Sequence, residues 1–136
     1  MSNSGVLHFF KYQFPALFWA LVIFIASSIP ATKLPNLEIL HYDKFIHASI
    51  FFIFGLFVYR ALEPRNKEIV FNWRRALIVI LCVVLYGASD EFHQGFTFGR
   101  QKDIRDLTAD AIGGICSVLL MYVISKRKTK SRETPE

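Results

Sequence analysis

Residues 76–94 read ALIVILCVVLYGASDEFHQ. As a helix rising 1.5 Å per residue, this stretch is about 28 Å long, close to the roughly 30 Å hydrocarbon core of a bilayer. Its first thirteen residues carry no charge, and its end is crowded with Asp90, Glu91, His93 and Gln94. The segment is an apolar rod with an ionisable tip, and three more apolar runs, at 14–29, 43–62 and 103–125, flank it. In a chain of 136 residues, 53% hydrophobic and 20% charged, with a mean hydropathy of +0.35, this pattern predicts an all-α bundle of four transmembrane helices in one membrane domain over 1–136. Disorder is excluded, because so apolar and aromatic a chain does not stay solvated.

The connections fit this reading. Pro30 ends the first run, and the Pro-punctuated stretch 30–35 cannot continue a helix. Taken alone, 14–29 also suits a secretory signal, with Lys11 before it and Ala26, Ser27 and Ser28 near a cut. The three later runs hold the chain in the membrane in either case, so an uncleaved span is the expectation. Cys82 and Cys116 lie inside apolar runs and read as inert packing thiols. The basic stretch 126–136 reads as a disordered tail.

Orientation follows from Lys and Arg. Eleven of the sixteen fall at the N-terminus, in the second loop with its flanks, or in the tail: Lys11, Arg60, Arg65, Lys67, Arg74, Arg75, Lys126, Arg127, Lys128, Lys130 and Arg132. The positive-inside rule then places both termini in the cytoplasm. With four acids on that side (Glu63, Glu68, Glu133, Glu136), its net charge is +7. The outer side, with five bases and seven acids, carries −2. The overall +5 is thus the sum of two opposed faces, and the basic one orients the protein and does not signal a nucleic-acid partner.

The outer ends of three spans hold the chemistry-bearing residues. Asp43, Lys44 and His47 open the second, and Glu91 and Gln94 close the third with Asp90 and His93. Arg100, Lys102, Asp103, Arg105, Asp106 and Asp110 lead into the fourth. His47 lies four residues after Asp43, and Asp103, Asp106 and Asp110 recur at i, i+3, i+7, so each set shares a helix face. Counted from the cytoplasmic charges, Asp90 is about 22 Å deep, Asp110 about 24 Å, His47 about 20 Å and Asp43 about 26 Å. One level on three helices therefore carries ionisable groups, several ångström below the outer interface. An unpaired charge there costs roughly 3 kcal/mol or more, so the groups should face one another or a polar pocket at the extracytoplasmic end. Structural roles are also open to them singly. Asp103 and Asp106 suit a first helical turn, Asp43 with Lys44 a cap and a snorkelling cation, and Ala109-x3-Gly113-x3-Ser117 a close-packing stripe. Asp110 is least explained in that way, and the first span, with Ser27 and Ser28 as its polar groups at this level, reads as packing.

No His-Glu-x-x-His, Gly-x-Ser-x-Gly or Gly-rich phosphate loop occurs. Asp106-x3-Asp110 is similar to aspartate pairs that hold hard cations near lipid phosphates, without the rest of a CDP-alcohol phosphotransferase pattern. What remains is a carboxylate-rich pocket with one histidine and one arginine. The roles expected are Arg100 with Lys44 for an anionic group, His47 with Glu91 for proton transfer, and Asp106 with Asp110 for a cation or for orienting Arg100.

The same residues resemble a known family. Asp43-Lys44-x2-His47-x4-Phe52 is similar to the first motif of the VanZ-like membrane family. Glu91-x2-Gln94-x-Phe96-x3-Arg100-x2-Asp103-x2-Asp106-x3-Asp110-x2-Gly113 is similar to its second. The resemblance covers roughly 43–114. It implies a bacterial inner-membrane protein of a family whose namesake is linked to teicoplanin-type glycopeptide resistance, and it marks Asp43, Lys44, His47, Glu91, Gln94, Arg100, Asp103, Asp106 and Asp110 as the polar positions. It also implies an uncharged residue where Asp90 stands, a departure that makes the pocket more acidic.

Two functions follow as expectations. The first is a protein that binds, and modifies or flips, an anionic lipid or lipid-linked cell-wall precursor, with His47, Glu91 and Asp110 as candidate catalytic groups and Asp43, Lys44, Gln94, Arg100, Asp103 and Asp106 as ligand contacts. The second is an accessory subunit whose polar network fixes helix packing. Alternating access by a proton-coupled carrier would call for a homodimer, since four short spans leave little room. The sequence leaves open whether the protein is an enzyme, and it names no metal or cofactor.

Overall fold

A computed structural model of the chain describes residues 3–33, 40–63 and 71–133. Pro35, Glu38, Arg65, Lys67, Glu68 and Glu136, used above, lie outside the described residues. Every regular element among the described residues is helical. α1 (Asn3–His8) runs through a five-residue π-type turn (Phe9–Gln13) into α2 (Phe14–Ser27), which a short 3-10 turn (Ala31–Lys33) follows. Then come α3 (Leu40–Ala61), α4 (Trp73–Gln94) and α5 (Ile104–Glu133). Four stretches, Gly5–Ser27, Asp43–Ala61, Trp73–Gln94 and Ile104–Ser131, are long and apolar enough to cross a membrane.

Two expectations are corrected. The first span does not begin at residue 14, because helix already precedes it. Pro15 lacks an N–H, and its ring would crowd the Lys11 carbonyl four residues back. The wider π-type turn, in which the Phe14 N–H reaches the Phe9 carbonyl, absorbs that crowding and lets the helix run on. The basic tail is not disordered from residue 126, since α5 continues to Glu133. Lys and Arg are good helix formers, no Gly or Pro intervenes before Pro135, and extending a formed helix needs no new nucleus.

Contacts between helices fix their directions. Lys44 meets Asp106, His47 meets Asp110 and Gly55 faces Ser117, so α3 and α5 run parallel. α4 is antiparallel to α5, with Glu91 against Asp103 and Val83 against Gly114. α2 is antiparallel to α3: Trp19 Nε1 donates to the Ile50 carbonyl at 3.0 Å, and the Arg60 guanidinium lies over the Tyr12 ring. All the ionisable tips gather at one end of the bundle. At the other end Arg60 lies on Tyr12, Arg75 on Tyr59 and Lys126 on Tyr122.

Lipid tails are as apolar as leucine, so helices in a membrane are held together mainly by close packing. The seam of α3 and α5 is the tightest here. A Cβ on Gly113 would overlap the Ala48 carbonyl oxygen, and one on Gly114 would lie 2.8 Å from Val83 Cγ1 on α4. Ala109 and Ser117 are buried on the same stripe, and Phe51, Phe54, Tyr59, Val79 and Val83 fill the core beside it.

Candidate functional site

The polar end is built from four buried acids, each with its own donor. Asp106 pairs closely with Lys44 Nζ, which also lies 2.9 Å from Asp103 and 3.6 Å from Asp43. Asp110, fully buried, has its Oδ1 3.1 Å from His47 Nδ1. Glu91 Oε2 accepts the Asp103 N–H at 2.9 Å. Asp90 takes the Ser27 hydroxyl at 2.5 Å on one oxygen and Gln94 Nε2 at 2.9 Å on the other. Two buried oxygens, Asp110 Oδ2 and Glu91 Oε1, have no partner among the described residues.

Asp103 has a local role as well. Its Oδ1 accepts the Arg105 N–H at 2.8 Å at the start of α5, as a capping carboxylate does. The Lys44 ammonium, helped by that N–H, holds the Asp103 carboxyl below the usual carboxylate range.

The chain between α4 and α5 folds over the end of α2. Gly99, at φ +76°, supplies the left-handed conformation of the turn. Around it the Phe98 carbonyl accepts the Ala31 N–H at 3.2 Å, Thr97 Oγ1 donates to the Ser27 carbonyl at 3.2 Å, and Arg100 Nε donates to the Ile29 carbonyl at 3.5 Å. No carboxylate among the described residues pairs with Arg100.

Beneath this turn a cavity of about 470 Å³ lies between α2, α3 and α4. Ser27, Asp43, His47, Asp90, Gln94 and Arg100 form its polar lining, and Ile23, Ala26, Ile46, Ile50 and Phe51 its apolar wall. Of the residues singled out in the sequence, Asp43, His47, Asp90, Gln94 and Arg100 therefore line the cavity. Asp106 and Asp110 of α5 stand behind it, with Lys44 of α3, Glu91 of α4 and Asp103 just before α5 against them. Lys44 is held by Asp103 and Asp106, away from the cavity that Arg100 lines, and His47 faces Asp110 where Glu91 is the expected partner. Asp106 meets Lys44, so of the two roles expected for Asp106 with Asp110, that of orienting Arg100 has no contact among the described residues. The sequence reading of the first span as packing also gave Ser27 and Ser28 no part in the site. Ser27 bonds Asp90, and Ser28 Oγ lies 3.0 Å from His93 Nε2, whose ring stacks on Phe24. Their only signal was two hydroxyls at the level of the acids, just before Pro30.

Cys82 is half-buried and Cys116 exposed, and neither is in a disulfide. Asp43, His47 and Asp106 can converge on a cation, with one ligand atom of each within 4.8 Å of the others.

The profile of the VanZ/LLP1 family matches residues 12–125. The chain belongs to the VanZ/LLP1 family. Its match takes in α2, α3, α4, the first 22 residues of α5 (104–125) and every polar residue of the site. Another protein similar to this VanZ/LLP1 chain is an uncharacterized protein of Schizosaccharomyces pombe, 31% identical over 111 residues. That alignment covers 79% of this chain and 65% of the yeast protein, so the chain spans less than two thirds of that relative's length. No solved structure matches.

Proposed function

We propose that this VanZ/LLP1 protein binds a membrane amphiphile whose head group carries both an anionic group and hydrogen-bond donors. The observation that carries this reading is the cavity between α2, α3 and α4, apolar along one wall and polar at the end of the bundle. Its volume lies within the roughly 300–1,000 Å³ of small-ligand sites. Arg100 offers a two-pronged contact for a phosphate or carboxylate. Asp43 and Asp90, on the same lining, favour hydroxyl or amine donors, so a sugar-phosphate or amine-bearing phospholipid head suits the site better than a bare anion. The tail would lie along Ile23, Ile46 and Ile50. A fission-yeast relative favours a lipid common to both kinds of membrane, such as a phospholipid or polyprenyl-linked phosphate, over a bacterial cell-wall unit.

The excess of Lys and Arg at the opposite end supports an arrangement with the cavity outward and both termini in the cytoplasm of a bacterial inner membrane. There, a change in an envelope lipid is the route by which the implied link to teicoplanin-type resistance would act. The test is native mass spectrometry of the purified protein with co-purified lipids. Arg100→Ala should lose an anionic lipid that the wild type keeps, and His47→Ala should weaken its retention. Identical lipid complements in all three proteins would refute the reading.

A second reading, a structural subunit, is favoured by the Lys44–Asp103–Asp106 contacts, which tie α3 to the first turn of α5. It requires Arg100→Ala to lower stability. The lipid reading requires Arg100→Ala to leave stability unchanged while the lipid is lost.

A further inference from the structure

At the polar wall of the cavity, Asp43 and His47 of the lining and Asp106 behind it bring three ligand atoms within 4.8 Å of one another. We propose that these three residues hold a divalent transition-metal ion of the Mn²⁺ or Zn²⁺ type, with His47 ligating through Nε2 and Lys44 as the tethered cation that the ion displaces.

Four features of the geometry converge on this. First, His47 Nδ1 lies 3.1 Å from Asp110 Oδ1, and Asp110 is wholly buried. Donation from Nδ1 to a buried carboxylate fixes the ring and leaves the Nε2 lone pair outward, the arrangement that orients most metal-binding histidines. Second, bonds of about 2.1 Å around a tetrahedral ion set ligand atoms about 3.4 Å apart, so side chains now within 4.8 Å need to draw in by at most about 1.4 Å. Third, Glu91, more than nine-tenths buried, carries an unpartnered Oε1, while its Oε2 accepts the N–H of Asp103, the residue next to Lys44. Buried acids thus outnumber the cations that reach them. Fourth, the Lys44 ammonium already sits among Asp43, Asp103 and Asp106. Asp103 is partly exposed, so Lys44 can keep that partner while it releases Asp106 to an ion. One imidazole with two carboxylates suits Mn²⁺ or Zn²⁺ better than Ca²⁺, which takes oxygen alone.

The site shares Asp43 and His47 with the cavity lining but does not rest on the lipid reading, because it is tested with metal alone. The full chain, purified in detergent and stripped with chelator, is titrated with Mn²⁺ and with Zn²⁺. Calorimetry reads affinity, and elemental analysis reads stoichiometry after desalting. One ion per chain is expected. Asp106→Asn and His47→Gln should weaken binding at least tenfold, and Asp110→Asn about tenfold through its hold on His47. Lys44→Met removes no ligand and should tighten binding. Absence of saturable binding by the wild type would overturn the proposal. So would affinity that Asp106→Asn and His47→Gln leave unchanged, or a Lys44→Met protein that binds no more tightly than wild type. Circular dichroism identifies any variant that fails to fold, and the wild-type titration decides the question without it.

Discussion

Replacement of Gly113 and of Gly95 by alanine should move stability in opposite directions. Both changes add one methyl group to a helix or its end. In a helix interior, alanine is favoured over glycine by about 1 kcal/mol. At Gly113 that gain is outweighed. The added Cβ would overlap the Ala48 carbonyl oxygen and lie 2.8 Å from Phe52 N and 3.1 Å from the Ala48 carbonyl carbon, all backbone atoms of α3. No side-chain rotation relieves such contacts, so α3 and α5 must part along their whole seam. Overpacking of this kind costs about 1–3 kcal/mol, and a rigid backbone obstacle puts it at the upper end, for a net loss of about 2 kcal/mol. Gly95 sits at the end of α4 with an ordinary φ of −62°, and its Cβ would meet only the flexible, exposed Lys102 side chain. There the expected effect is a gain of about 0.4–1 kcal/mol from the unfolded state's reduced freedom. The two variants should therefore differ by roughly 3 kcal/mol. Reversible unfolding in mixed micelles with increasing SDS, followed by circular dichroism, measures the gap. A Gly113→Ala protein as stable as wild type would refute the close approach of α3 and α5, and with it the placement of His47 against Asp110.

Ser27→Ala removes one of two donors from the buried Asp90 carboxylate and should cost about 1–3 kcal/mol in the same unfolding assay, whereas Ser28→Ala, at a more exposed hydroxyl, should cost little. Lys44 keeps the Asp103 carboxyl below its ordinary value of about 3.9, so their contact adds stability above that pH and loses it as pH falls through the lower folded-state value. Asp103→Asn should accordingly have a lower Tm than wild type at pH 7, with the gap closing in strong acid; a gap constant with pH would contradict this. A fluorescent protein that matures only in the cytoplasm should be bright when fused after Glu136, and an alkaline phosphatase fused there should be inactive.

The four spans and the level of the acids were legible because both depend on distance along one helix. Apolar runs measure a bilayer, and counting residues from Arg75 or Lys126 measures depth. Partners across helices were not legible, because spacings such as 103, 106, 110 fix a face but not what that face meets. Thus the level of Lys44 is readable and suggests a ligand contact beside Arg100, while the register of α3 on α5 delivers it to Asp106. The stripe Ala109-x3-Gly113-x3-Ser117 announced a close seam without naming α3. Ser27 was hidden because a serine in an apolar helix usually bonds its own helix's carbonyl, as Ser28 does with Phe24 at 2.8 Å. The length of the first helix was hidden too, since Pro15 suggests a start and only a widened turn lets the helix continue.

The glycine seam bears on which role the acids play. Register between α3 and α5 is already set sterically, since a slip along the helices would drive a larger side chain into the Ala48 carbonyl where Gly113 now fits. Lys44 with Asp103 and Asp106 reinforces the same register at one end. Asp90 and Glu91, on α4, add nothing to it and Asp110 adds one contact with His47, yet each is a buried acid of the kind that costs about 3 kcal/mol in a membrane unless matched. Two of them still leave an oxygen unmatched. Asp90 reaches the cavity directly, and Asp110 reaches it through His47. A helix-packing role accounts for Lys44 and its two aspartates. Under the proposed function, the remaining acids answer to a ligand in the cavity and an ion at its wall.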